Sequence, residues 1–256
     1  MRHVMLTGLA LILLFVAGGC RQPAEKAAKK EVDSADGLII AVGDSLTAGA
    51  GVDEQASYPA LLQKRLQAAG LHYRVINAGV SGETSSGTLS RLGWILTQKP
   101  GIVILETGAN DGLRGIDPDL TRANIEKIMA RLQAEKIVTV LAGMRMVGNM
   151  GGGYTESFRK LYEDVARENG AVFMPFFLEG VAGDPAFNNS DGIHPNARGY
   201  EIITDNLFPY VVQAINKRRE ADEDQKGRAS SHLGRALQLF CHFPEHPYST
   251  YRVSYK

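Results

Sequence analysis

The chain has 256 residues, 44% of them hydrophobic and 22% charged, an ordinary globular composition. Lys+Arg and Asp+Glu each number 28, so the formal net charge is +0 and no long-range field draws the protein towards nucleic acid or anionic lipid. No basic patch is interleaved with aromatic residues, and a nucleic-acid partner is not expected.

Residues 1–20 differ from the rest. Arg2 and His3 precede an apolar run, Val4 to Val16, which ends in Ala17-Gly18-Gly19-Cys20. A basic start, an apolar centre and small residues before a cut site describe an export signal. The run is short for a spanning helix, which needs about 20 apolar residues. The small-small-Cys ending resembles the lipobox of bacterial lipoproteins, which implies lipidation of Cys20 and a membrane-anchored protein facing the periplasm. Ala17 departs from that motif, which prefers a large aliphatic residue there. Plain secretion and an uncleaved anchor stay open. Cys20 and Cys241 are the two cysteines, so neither a disulfide framework nor a Cys-based zinc site is expected. Arg21 to Asp36 carries no large apolar residue except Val32 and reads as a solvated tether.

From Gly37 the chain alternates short apolar runs with helical patterns. The runs Leu38–Val42, Tyr73–Asn77, Ile102–Glu106, Ile137–Leu141 and Ala171–Pro175 are rich in Val and Ile and mostly lack in-out alternation. Strands covered on both faces read this way. Helical spacing is found over Tyr58–Ala69, Thr84–Gln98, Leu120–Ala134 and Tyr154–Asn169, and a last helix is expected from Pro195 to about Lys217. Such repetition predicts a three-layer α/β/α sandwich on a five-stranded parallel sheet, with the reacting groups beyond the carboxyl ends of the strands. The domain is expected over 37–217. The tail, 218–256, shows mixed charge and little periodicity; it is assigned no function and weak order is expected.

The first strand runs into Gly43-Asp44-Ser45-Leu46-Thr47-Ala48-Gly49. A serine on such a turn can expose its hydroxyl, although a helix cap would use the same residues. Serine needs an adjacent base to act as nucleophile. Inside the predicted domain the histidines are His72 and His194. His72 falls at the start of the second strand, the wrong end of the sheet, and is expected on the surface. His194 lies in Asp191-Gly192-Ile193-His194-Pro195, where Asp191 can reach its imidazole and fix the tautomer. Acyl transfer also requires donors for an oxyanion. Gly79, after the second strand, can offer a backbone N–H, and Asn110, after the third, a side-chain amide. Asp44 and Asp111 are expected to be structural. Glu106, a charge in an apolar strand, is expected to point to the strand end or to a partner. Met144, Met146 and Met150 stand before Gly151-Gly152-Gly153 and could line an acyl-chain site, or be ordinary core and loop. No metal or other cofactor is expected, since neither a clustered ligand set nor a Gly-Lys-Ser/Thr phosphate loop occurs.

Gly43-Asp44-Ser45-Leu46, Gly79, Gly108-Ala109-Asn110-Asp111 and Asp191-Gly192-Ile193-His194-Pro195 resemble, in order, the four blocks of the GDSL/SGNH hydrolases. The resemblance covers about residues 38 to 215. It implies a flavodoxin-like fold, Ser45 as nucleophile, His194 as base and Asp191 as its partner. It also implies an oxyanion hole of the Ser45 N–H, the Gly79 N–H and Asn110. Gly143-Met144-Arg145-Met146 and Tyr154-Thr155-Glu156-Ser157-Phe158 look most like the thioesterase I/lysophospholipase and arylesterase branch. The expected substrate is a small-molecule or lipid ester: a lysophospholipid, a short acyl or aryl ester, or an acyl thioester. Deacetylation of glycans and a non-catalytic envelope role are the alternatives.

Overall fold

The computed structural model describes residues 36–146 and 150–240, with side chains as far as Arg228. The export, tether and Cys20 readings fall on residues outside these, apart from Asp36, as does Cys241. Five strands form one parallel sheet: β1 (Gly37–Gly43), β2 (Tyr73–Gly79), β3 (Ile102–Glu106), β4 (Val138–Ala142) and β5 (Val172–Met174). Their spatial order is β2-β1-β3-β4-β5. Between them run α1 (Ser45–Ala48), α2 (Tyr58–Ala68), α3 (Ser85–Thr97), α4 (Ala109–Leu113), α5 (Pro118–Ala134), α6 (Gly152–Glu168) and finally α7 (Ala197–Phe240). This is the doubly wound sandwich that the alternating pattern predicts.

The central strands explain why the apolar runs lack alternation. Ile39, Ile40, Ala41 and Val42 of β1 and Ile102, Val103, Ile104 and Leu105 of β3 are all buried, because helices cover both faces. β2 is one of the two edge strands and mixes buried with exposed positions. It runs two residues past Asn77, pairing Gly79 with Gly43. An added Cβ at Gly79 would run into the backbone of Thr47 and Ala48, so glycine is what lets α1 lie against this strand end.

Several helix starts carry side-chain caps. The Thr84 side chain accepts from the Gly87 N–H, and Asp117 accepts from Asp119 with Pro118 at the first turn. Pro195, expected to open the last helix, instead bridges Asn188, and the Asn196 side chain accepts from Gly199 to start α7. At its other end α7 continues past Lys217 to Phe240. As far as Arg228 this continuation is mostly exposed and holds i,i+4 pairs such as Arg218–Asp222, which support a helix without an apolar stripe.

The order β2-β1-β3 fixes where a ligand can sit. Connections leave β1 and β3 in opposite directions, which opens a crevice at their carboxyl ends. Ser45 follows β1 there, and Asn110 follows β3. Because Ile104 is fully buried at the centre of this frame, Ile104→Ala should cost about 2–5 kcal/mol, read as a lowered urea midpoint with an unchanged slope.

Candidate active site

Asp44 caps α1, its Oδ1 accepting the Leu46 N–H at 2.9 Å, and Ser45 is the first residue of that single turn. The turn closes at Gly49, whose φ of 84° suits glycine. The loop before α7 supplies the partners. His194 Nε2 lies 2.9 Å from Ser45 Oγ, and His194 Nδ1 lies 2.8 Å from Asp191 Oδ2. The other Asp191 oxygen accepts the N–H groups of Ile193 and His194 at 2.9 and 3.0 Å. These backbone bonds, with the imidazole, hold the Asp191 carboxyl well below the usual carboxylate range. An ionised carboxylate on Nδ1 leaves Nε2 as the acceptor for the serine proton.

The expected oxyanion donors are placed unequally. The Ser45 N–H makes no hydrogen bond among the described residues. Asn110, in α4, gives one amide hydrogen to Asp44 Oδ2 at 2.9 Å, which fixes the amide and leaves its second hydrogen for a ligand. The Gly79 N–H, by contrast, is donated to Asn77 Oδ1 at 2.9 Å. It lies at the expected sheet edge but is already engaged by an Asx-type turn.

Asp111 is buried and accepts from the Ser85 N–H, the Ser85 hydroxyl and Thr121, tying α4 to α3 and α5. His72 is exposed, as expected. Among the described residues no group of three or more His, Cys, Asp or Glu is placed to hold a metal ion.

A cavity of about 530 Å³ opens beside Ser45 and His194, bounded by Leu113, Met144, Arg145, Met146, Phe176 and Ile193 among others. Most of its wall is carbon. Met144 and Met146 thus take the place foreseen for them; Met146 occupies the space that a side chain on Gly112 would fill. Met150 does not line the cavity. Its methyl end lies near Gly115 instead. The sequence reading missed Leu113, Arg145, Phe176 and Ile193 as wall residues. Leu113 and Ile193 each stand beside a reactive motif, but the exposure that marks them as wall residues emerges only on folding. It also missed the brace in which Arg91 pairs with Glu83 at 2.6 Å and donates to the Gly43 carbonyl at 3.3 Å.

A sheet of this order with serine, imidazole and carboxylate in line at its carboxyl edge defines a nucleophile–base–acid relay. The chain belongs to the GDSL-like lipase/acylhydrolase family, whose model matches residues 41–202 and so spans every residue of the relay. It is 38% identical over 211 residues to the esterase TesA of Pseudomonas aeruginosa, covering 82% of this chain and 97% of that protein. It is 38% identical over 184 residues to the thioesterase 1/protease 1/lysophospholipase L1 of Escherichia coli, covering 72% of this chain and 86% of that one. The crystal structure of TesA superposes with a TM-score of 0.67 at 39% identity, over 69% of this chain and 99% of that chain. The branch read from the 143–146 and 154–158 segments is therefore the right one.

Gly108, with φ of 104°, begins α4, and an added Cβ there would meet the Tyr162 hydroxyl. Gly108→Ala should destabilise the fold by about 1–3 kcal/mol and lower ester hydrolysis together with it. Paired thermal melts and initial rates would check both.

Proposed function

We propose that the chain hydrolyses carboxylic esters through an acyl-enzyme on Ser45, with His194 as base and Asp191 as its partner. The observation that carries this reading is the unbroken Asp191–His194–Ser45 relay, at 2.8 and 2.9 Å, on the edge of an apolar cavity. Ser45 Oγ attacks the ester carbonyl carbon while its proton passes to His194 Nε2. The carbonyl oxygen, now an anion, accepts from the Ser45 N–H and Asn110; Gly79 joins as third donor when this oxygen shares the N–H now held by Asn77. His194 then protonates the leaving alcohol or thiol as the tetrahedral species collapses. A water molecule repeats the attack on the acyl-enzyme, giving its proton to His194, and the acid leaves with Ser45 restored.

The wall chemistry supports an acyl chain or aryl group in the cavity, since a carbon surface favours apolar substrate over a hydroxyl-rich glycan. Lysophospholipids, short acyl esters and aryl esters are the proposed natural substrates, with thioesters cleaved by the same steps. The names borne by the relatives, esterase and thioesterase/lysophospholipase, favour the same class. We also propose that the protein is exported and anchored through a lipid on Cys20. The pattern from Arg2 to Cys20 supports this. Palmitate incorporation in cells, lost in Cys20→Ser, is the expected result; equal labelling of both would sink the anchor.

Ser45→Ala should lower turnover of p-nitrophenyl acyl esters by at least about 10³-fold and abolish labelling by a fluorophosphonate probe. Asn110→Ala should cost about 10²–10³-fold in kcat. The Asp191 carboxyl titrates far below the assay range, so its support is complete above that range's lower end and disappears only at much lower pH. Mild acidification should therefore leave the Asp191 support of the relay intact. In profiles of kcat/KM against pH, an acid limb present in the wild type but absent from Asp191→Asn would overturn this.

A further inference from the structure

Beneath the Ser45 turn lie two buried carboxyls that the proposed reaction does not use. Glu106, the last residue of β3, is 0% exposed and Asp44 is 1% exposed. Asp44 has a donor on each oxygen: the Leu46 N–H on Oδ1 and the Asn110 amide on Oδ2, both at 2.9 Å. Glu106 Oε2 accepts the Asp44 N–H at 3.2 Å and the Thr47 hydroxyl at 2.9 Å, while Oε1 has no partner among the described residues. Thr47 in turn contacts the Tyr58 hydroxyl at 3.1 Å. The carboxyl packs so tightly under the turn that an added Cβ at Gly43 would overlap it.

Two adjacent buried carboxyls do not both ionise without a cation between them. No lysine or arginine is hydrogen-bonded to either one among the described residues; Arg91 is taken by Glu83 and the Gly43 carbonyl. The groups facing Glu106 are Asp44 beyond β1 and the hydroxyls of Tyr58 on α2, Tyr162 on α6 and Tyr200 on α7, with His194 acting on Asp44. Burial raises all three tyrosines above their ordinary range, so they stay neutral. A bare Oε1 would make an ionised Glu106 costly, whereas Asp44 already offers both oxygens to donors. Burial first, and the Asp44 charge second, push the Glu106 carboxyl well above its ordinary range, in agreement with the geometry.

We propose that Glu106 is a positioning residue for the Ser45 reaction: as a neutral acid it holds the Asp44 N–H and Thr47, and it leaves the single negative charge of this cluster on Asp44, which aims the Asn110 amide at the oxyanion. Glu106 touches no reacting atom. It acts through the frame of the turn and through which carboxyl carries the charge. A second anion here would sit beneath the developing oxyanion and oppose it.

This inference rests on the proposed ester hydrolysis, and the test separates the two. Wild type, Ser45→Ala, Glu106→Ala and Glu106→Gln are compared as full chains on one p-nitrophenyl acyl ester. An inactive wild type would refute the hydrolase reading itself. Given an active wild type, Glu106→Ala should lose about 10- to 100-fold in kcat with KM within about threefold, since misaimed groups cost rate rather than binding. Glu106→Gln, a neutral isostere, should restore kcat to within about threefold of wild type. The infrared difference between wild type and Glu106→Gln at neutral pH should show the carbonyl band of a protonated carboxylic acid. Wild-type kcat in Glu106→Ala, a Gln variant as slow as Ala, or a difference spectrum showing only carboxylate would each overturn the proposal. If Glu106→Ala does not fold, Thr47→Val takes its place: it should lower kcat by about 3- to 10-fold at unchanged KM, and an unaltered kcat would overturn the proposal.

Discussion

Ser45 and His194 are separated by 149 residues, yet their side chains meet at 2.9 Å, and the chemistry depends on that one hydrogen bond. Neither residue is held by its neighbours alone. Ser45 is placed by β1 and the Asp44 cap; His194 is placed by a loop pinned through the Asn188–Pro195 bridge and by the start of α7. The sheet order brings them together. Because β1 and β3 send their connections to opposite sides, the space above their carboxyl ends is kept clear for the loop that returns from β5.

Three aspartates near the relay behave differently because their surroundings differ. Asp191 is about half exposed and rich in N–H donors, so it stays ionised. Asp111 spends its oxygens on Ser85 and Thr121 and ties helices together. Asp44 is buried against another acid, where burial raises its pKa and the bonds from Leu46 and Asn110 lower it. Residue type decides little here; hydrogen-bond donors and access to water decide the rest.

The layers of the fold were legible because apolar runs of about five residues, with helical spacing between them, admit few alternatives. Ser45, Asn110, Asp191 and His194 were legible because each stands in a short run of turn-forming residues at a strand or helix boundary. What escaped is of two kinds. The cavity wall draws Leu113, Arg145, Phe176 and Ile193 from segments with no common pattern, so only three-dimensional folding collects them. The engagement of the Gly79 N–H by Asn77, and the stacking of Glu106 under Gly43, are matters of side-chain direction, which spacing does not encode. The continuation of α7 past Lys217 escaped because the mostly exposed, mixed-charge stretch to Arg228 carries no apolar stripe by which helical spacing could be read.

Met146 lays its thioether beside α4 in the space that a side chain at position 112 would enter. The volume of the cavity floor is therefore held jointly by two residues from different segments. Enlarging residue 112 alone displaces the methionine into the cavity; trimming residue 146 alone leaves a hole against a bare backbone. Residue 112, although not itself part of the cavity wall, thus has a say in the cavity's shape through Met146.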